Sequence, residues 1–281
     1  MNRWETVAII GVGLIGGSIG LGLRQRGLAR RVVGIGRNPR RLEAARDSGA
    51  VTAIASQIGD GVCEADLIVV CTPVERIVSQ VRAVAEACPA HALITDVGST
   101  KSAICRQLQQ CPIATGTFVG SHPMAGSEKS GVHHARADLF EERVTVVTPL
   151  EGTRDEHVER VQRFWQSLGS RVVCMSPEVH DRAVAAISHL PHVIASALSA
   201  ATPPEHLLLA SSGWRDTTRI AAGEVELWRQ ILWDNRAHVL QSLDNFAKVL
   251  ADFREALGAD DSQQLEQLLQ AGKQNRDALG G

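Results

Sequence analysis

The sequence predicts a doubly wound, mostly parallel α/β sheet followed by an all-helical second domain. Three observations carry this expectation. Strand-like runs at Val7–Ile10, Val32–Ile35, Leu67–Cys71, Ala92–Thr95, Phe118–Gly120, Val144–Val147 and Arg171–Met175 alternate with helical segments such as Ile77–Ala87 and Glu156–Leu168. The first strand runs straight into a G-x-G-x-x-G turn, Gly11-Val12-Gly13-Leu14-Ile15-Gly16, and a helix continues through Leu21, Leu23 and Arg24. After Ser176-Pro177 strand alternation stops, and Ala, Leu, Glu, Gln and Arg recur at helical spacing to the end, broken by one Pro-containing loop at Ala200–His206. The expected domains are therefore 1–175 and 176–281.

The glycine turn has a physical purpose. Gly11 permits the tight turn, Gly13 lets the backbone approach a pyrophosphate, and Gly16 lets helix and strand pack closely. The helix start at Leu14 and Ile15 offers free N–H groups. Thr72 and Pro73, at the end of the Leu67–Cys71 strand, join these as candidate cofactor-binding residues. The end of the second strand normally selects the dinucleotide, an Asp or Glu there accepting the ribose hydroxyls of NAD. Here Ile35-Gly36-Arg37-Asn38 has no carboxylate before Glu43, and Arg37, Arg40 and Arg41 follow. A guanidinium grips a 2′-phosphate with two bonds, so the pattern favours NADP, with Arg37 as its contact. NAD stays open, since these arginines also suit a solvated helix start.

Composition narrows the partners. With 281 residues, 44% hydrophobic, and a net charge of −2, the chain offers no electrostatic case for nucleic acid or a membrane surface. No apolar run is expected to reach transmembrane length, no signal peptide precedes the first strand, and no room is left for an added regulatory domain. Six cysteines without C-x-x-C spacing read as reduced thiols of a cytoplasmic protein, and no metal site is expected.

Four further stretches carry chemistry. Ser121-His122-Pro123-Met124-Ala125-Gly126-Ser127-Glu128-Lys129-Ser130-Gly131 reads as a small-residue loop holding one histidine, which exchanges protons near neutral pH. Asp96-Val97-Gly98-Ser99-Thr100-Lys101 lies at a strand's carboxyl end, where open sheets bind ligands; Ser99 or Thr100 as a helix cap is the plainer alternative. Ile187-Ser188-His189-Leu190-Pro191-His192 sets two histidines in an apolar helix interrupted by proline, and zinc is excluded by the lack of a third ligand at suitable spacing. Arg215-Asp216-Thr217-Thr218-Arg219 adds guanidinium groups suited to a carboxylate, although Arg215 and Asp216 also suit a local ion pair. Trp228 and Trp233 read as core or subunit-contact residues.

Taken in order, the glycine turn, Asp96–Lys101, His122–Gly126, Ile187–His192 and Arg215–Ile220 resemble the prephenate/arogenate dehydrogenase family across nearly the whole chain. The resemblance implies a nucleotide-binding domain followed by a helical domain that makes a homodimer, with the substrate, prephenate or arogenate, seated between them. It implies His122 as catalytic histidine assisted by Ser99, and His192 and Arg219 as substrate-binding positions with Ser188 and His189 beside them. One departure bears on substrate choice. Many members carry Ser-Asp-Pro after Thr-Arg-Ile, whereas this chain reads Ala221-Ala222-Gly223-Glu224-Val225-Glu226, similar to some arogenate-using members. Glu224 and Glu226 are then candidates for an ammonium group, while His192 suits prephenate. Two other classes share the plan: a β-hydroxyacid or imine reductase, which commonly relies on a lysine in the helical domain, and a non-catalytic dinucleotide sensor. Lys248 and Lys273 are the only lysines after residue 175.

Overall fold

The computed structural model describes residues 3–111, 114, 116–126 and 129–280, so Ser127 and Glu128 of the histidine-bearing stretch lie outside the described residues. Contacts divide the chain into two units, Met1–Asn235 and Arg236–Gly281. The first helices of the expected second domain therefore cluster with the sheet.

The sheet follows from the apolar runs. β1 (Trp4–Ile10), β2 (Ala29–Ile35), β3 (Ala53–Ala55), β4 (Leu67–Val70), β5 (Leu93–Asp96), β6 (Phe118–Pro123), β7 (Val144–Pro149) and β8 (Arg171–Cys174) lie in the order β3-β2-β1-β4-β5-β6-β7-β8. Successive side chains point to opposite faces. Val7 and Ile9 thus enter one core with Ile19, Leu23 and Trp165, and Ala8 and Ile10 enter the other with Ile77, Val81 and Phe118. All pairings are parallel except β6 with β7. The strand order reverses direction between β1 and β4, the switch point at which open α/β sheets take ligands.

Three expectations change here. β3 is an additional strand, too short to show alternation. β6 runs on past Gly120 through His122 to Pro123, because β7 pairs along it with His122 opposite Val146. His122 therefore sits on a strand and not in a loop. The expected loop at Ala200–His206 is mostly helical: one helix ends at Ala201 and a 3₁₀ turn spans Pro204–Leu209.

Among the described residues, the strands of the nucleotide half are joined by α1 (Leu14–Gln25), α2 (Pro39–Asp47), α3 (Ile58–Val62), α4 (Val74–Ala87) and α5 (Ser102–Gln109), with α6 (Asp155–Ser167) between β7 and β8. Beyond them come α7 (Pro177–Val184), a π-helical turn (Ala185–His189) and α8 (Leu190–Ala201). Pro191 lies in the first turn of α8, where its missing N–H does least harm, and the π turn absorbs the interruption just before it. The Pro177–Ala201 segment is long and apolar enough to cross a membrane by length and composition, which corrects the expectation that no run reaches that length. It also carries buried His180, Asp181, His189 and His192, which are hydrogen-bonded or stacked within this unit. Those polar groups read as a site-bearing core helix and not a lipid-facing one.

After α9 (Ser212–Thr218) and α10 (Val225–Asp234), the second unit consists of α11 (Arg236–Gly258) and α12 (Ser262–Asp277), packed on each other. Within it Leu240, Leu250, Leu257 and Leu269 are exposed.

Candidate active site

The carboxyl ends of β1, β4, β5 and β6 form one edge of the sheet, and each carries a piece of the site. At β1, Gly11 has φ +91°, a conformation side chains avoid, and a Cβ there would lie 2.8 Å from the Cys71 carbonyl oxygen. A Cβ on Gly16 would lie 2.3 Å from the Gly11 carbonyl oxygen, so the helix sits as close to the turn as glycine permits. A Cβ on Gly13 would meet nothing within 4 Å, leaving open space over the turn. The first turn of α1, with Leu14 and Ile15, has no acidic residue and no side-chain cap. These features fit a dinucleotide: unclaimed N–H groups and a positive helix end facing a gap where a pyrophosphate goes. Thr72 and Pro73 follow β4 beside this turn. Past β2, Gly36 stands where an acid would select NAD, and Arg37 is exposed next to Asn38, whose side chain caps α2 by accepting from Arg41 N.

β5 and β6 supply a buried polar cluster. Asp96 and Lys101 are wholly inaccessible and form an ion pair. Asp96 also accepts from Gly98 N (2.8 Å) and Ser121 N (3.0 Å), and Lys101 Nζ donates to Ser121 O (2.9 Å). Lys101 is thus a strut between β5 and β6 and does not reach toward a ligand. The expected cap of α5 by Ser99 or Thr100 is also corrected. Asp181, from α7, accepts from Lys101 N (2.8 Å) and Ser102 N (2.9 Å), while the Thr100 hydroxyl bonds Asp234. A carboxylate from a distant helix outcompetes a local hydroxyl because it takes both donors at once.

His122 is 8% exposed. Its Nδ1 lies 2.8 Å from His180 Nε2, and His180 Nδ1 lies 2.8 Å from Asp181 Oδ1. The ring contact of the imidazole is thus with His180, and Ser99 sits half-buried on the loop after β5. Sequence reading missed His180 and Asp181. Their signal was adjacency, His-Asp at the start of an apolar helix, and it carries meaning only once α7 packs against the end of β6. Burial, then the neighbouring His180, Lys101 and His189, hold the His122 imidazole well below the ordinary histidine range. Burial alone would raise Asp181, but bonds from His180 and from the backbone of Ser102 and Lys101 outweigh it and keep the carboxyl low.

The helical residues divide. His192 is buried, its ring stacked on Trp228 at 3.6 Å between centroids and 10° between planes, and its Nδ1 has no hydrogen-bond partner among the described residues. An orphaned buried nitrogen is costly unless a ligand meets it. Trp228 is thus the wall behind His192, in contact also with the edge of His189. His189 is buried and bonded to Asn235, whose amide also donates to the Asp181 carbonyl. Ser188 is half-buried on the π turn, and Arg219 is exposed at the start of a short 3₁₀ turn. Arg215 donates to the Ala210 carbonyl in place of the expected pair with Asp216. Glu224 and Glu226 are engaged locally: Glu224 caps α10 through Glu226 N and Leu227 N, and Glu226 pairs with Arg229 and Gln230.

The buried imidazoles make acid stability a test of this packing. Burial, then the nearby His180 and His192, outweigh Asp181 and bring His189 down to about 4. The unfolded chain protonates near pH ~6.5, so it binds more protons than the folded one below that value. Stability is therefore constant above it and falls as pH drops toward about 4, with His189 alone withdrawing on the order of 3 kcal/mol. Urea midpoints should decline over that window and decline less in His189→Asn. A flat midpoint would show His189 solvated.

Comparison with known proteins agrees with this geometry. The family model described as "Prephenate dehydrogenase, nucleotide-binding domain" matches residues 19–174, and that described as "Prephenate dehydrogenase, dimerization domain" matches residues 176–271. Prephenate dehydrogenase of Bacillus subtilis (strain 168) is 34% identical over 99% of this chain and 77% of its own length. Among solved structures, prephenate dehydrogenase from Aquifex aeolicus in complex with hydroxyphenyl propionate and NAD+ superposes with a TM-score of 0.90 at 31% identity, covering 98% of each chain. Synechocystis arogenate dehydrogenase superposes with a TM-score of 0.83 at 30% identity, covering 98% of this chain and 100% of its own. A glycine turn at a sheet switch point, a buried histidine beyond β5 on the same sheet edge and this likeness along the full chain place it in the prephenate dehydrogenase family.

Proposed function

We propose that this chain is a prephenate dehydrogenase, catalysing oxidative decarboxylation of prephenate to 4-hydroxyphenylpyruvate with NADP as the preferred hydride acceptor. The carrying observation is His122: a buried, neutral imidazole on the strand edge shared with the glycine turn, anchored through Nδ1 and so presenting Nε2. Gly11, Gly13, Gly16 and the Leu14–Ile15 N–H groups would hold the pyrophosphate of a nicotinamide dinucleotide, which when bound would supply the acceptor for the hydride leaving C4 of the substrate ring. Thr72 and Pro73 would join the cofactor site from the end of β4, and Arg37 would hold a 2′-phosphate.

His122 accepts a hydrogen bond from the C4 hydroxyl and removes its proton as the C4–H electrons depart, forming a carbonyl at C4. That carbonyl is conjugated to C1, so the C1 carboxylate leaves as CO₂ and its electron pair completes the aromatic ring. The phenolate oxygen then takes a proton. Ser99 shares the hydroxyl contact. The unpaired Nδ1 of His192 meets a polar group of the substrate, with Ser188 at its side. His189 supports this wall from behind. Arg219 holds a carboxylate, chiefly for position, since gripping the departing carboxylate too firmly would oppose decarboxylation.

With Glu224 and Glu226 engaged, prephenate is favoured over arogenate. Exposed Leu208, Leu209, Val225 and Trp233 on the helical half fit burial against a second copy in a homodimer. The six free cysteines fit the cytoplasm. The domain boundary near residue 175 follows the change from sheet to helices.

Side-by-side turnover of prephenate and arogenate with NADP and NAD tests the whole reading, the expected order being prephenate with NADP first. Inactivity with both substrates overturns it. Arg219→Ala should raise KM for prephenate by about tenfold or more with kcat little changed, the loss of one charge-assisted contact. An unchanged KM removes Arg219 from the substrate site.

A further inference from the structure

We propose that His180, locked by Asp181, is the positioning residue that fixes the tautomer of His122 and so decides which of its nitrogens is the base. This rests on the reading of His122 as the proton acceptor. The three groups form a buried line: Asp181 Oδ1 to His180 Nδ1 at 2.8 Å, and His180 Nε2 to His122 Nδ1 at 2.8 Å, the two rings meeting edge to face at 5.1 Å.

The chain of donors runs one way. Asp181 is a carboxylate already accepting two backbone N–H groups, so it can only accept from His180, which places a proton on His180 Nδ1. In this proposal His180 carries a single ring proton, on Nδ1, so that its Nε2 lone pair accepts from His122. His122 therefore carries its proton on Nδ1 and exposes the Nε2 lone pair. When the O–H bond of the C4 hydroxyl breaks and an N–H bond forms at Nε2, the resulting imidazolium is met by the His180 lone pair, with the Asp181 charge behind it. The hydroxyl's electron pair stays on oxygen and closes the carbonyl as hydride leaves C4.

The other groups facing this line set its balance. Lys101, from the β5–α5 loop, and His189, from the π turn, disfavour charge on His122, and Asp96 on β5 neutralises Lys101. Asn235 anchors the Asp181 backbone through its amide (2.7 Å) and ties it to His189. Without the His180–Asp181 arm, an isolated buried imidazole has no reason to prefer the productive tautomer.

Two variants separate orientation from packing. His180→Phe keeps a ring against His122 but removes both nitrogens. His180→Gln loses the ring but places an amide oxygen near the position of Nε2. The proposal expects His180→Phe to lose about 10²-fold or more in kcat, as a wrong tautomer does, and His180→Gln to recover part of it, with KM and nucleotide affinity held in both. A purely structural role reverses that order, because phenylalanine packs better than glutamine. Phe at or above Gln overturns the proposal.

Nitrogen-15 NMR of histidine-labelled, unmutated protein gives a second reading that needs neither turnover nor a folded variant. His122 should show a protonated Nδ1 and a bare Nε2; the opposite pattern refutes the assignment. If the protein turns over neither prephenate nor arogenate while the NMR pattern holds, the functional reading fails and the tautomer assignment stands.

Discussion

Replacing His122 by asparagine should lower kcat by about 10²-fold or more while NADP affinity stays within about twofold. The two effects separate because the residues sit on different parts of the same sheet edge. The proposed nucleotide contacts lie in the turn after β1 and at Arg37 after β2, whereas His122 belongs to β6, on the far side of β4 and β5. Asparagine keeps a polar group at the end of β6 and leaves His180 bonded to Asp181, so the fold should survive. What disappears is a group that can take a proton. The pH profile carries the same signature in the unmutated enzyme. A general base acts only when neutral, and burial holds His122 well below the ordinary 6.5. Thus kcat/KM should stay level through mildly acidic pH and fall only as pH drops through the lowered value. Steady-state kinetics with a parallel nucleotide titration decide the matter. A kcat within a few-fold of the parent, or a loss confined to nucleotide affinity, would return His122 to a structural role.

Much of the fold was legible because its signals are local. Strand β1, the glycine turn and helix α1 lie within one short stretch, so the motif can be read without knowing that the end of β4 closes over Gly11. The helical character after Pro177 was equally readable. His122 was found as a residue but misplaced as a loop position, because the β7 strand that holds it extended begins only at Val144. Pairing partners remote in sequence leave no local mark. The same reason hid His180 and Asp181. Asp181 lies 80 residues from the backbone N–H of Lys101 that it accepts, and no spacing rule spans that gap. Lys101 misled in the other direction: an ammonium at a strand's carboxyl end resembles a ligand contact until its partner Asp96 proves to be buried beside it.

That buried pair supports the largest stability effect expected in the molecule. Lys101→Met should destabilise the fold by about 3–5 kcal/mol, although methionine fills nearly the same volume. The cost lies with the partner. Asp96 would keep its bonds from Gly98 N and Ser121 N but lose its counter-charge, and both carboxylate oxygens are sealed from water. A second substitution tests that explanation. Asp96→Asn added to Lys101→Met removes the stranded charge while preserving an acceptor for one backbone N–H, so the double variant should be more stable than Lys101→Met alone. Activity should follow in part. Lys101 and Asp96 both bond Ser121, the residue before His122, so slackening there displaces the imidazole from its place at the strand edge. Urea denaturation of the single and double variants measures the coupling. A loss below about 1 kcal/mol for Lys101→Met, or a double variant weaker than the single one, would mean that water reaches this pair and that the strand edge is braced by apolar packing instead.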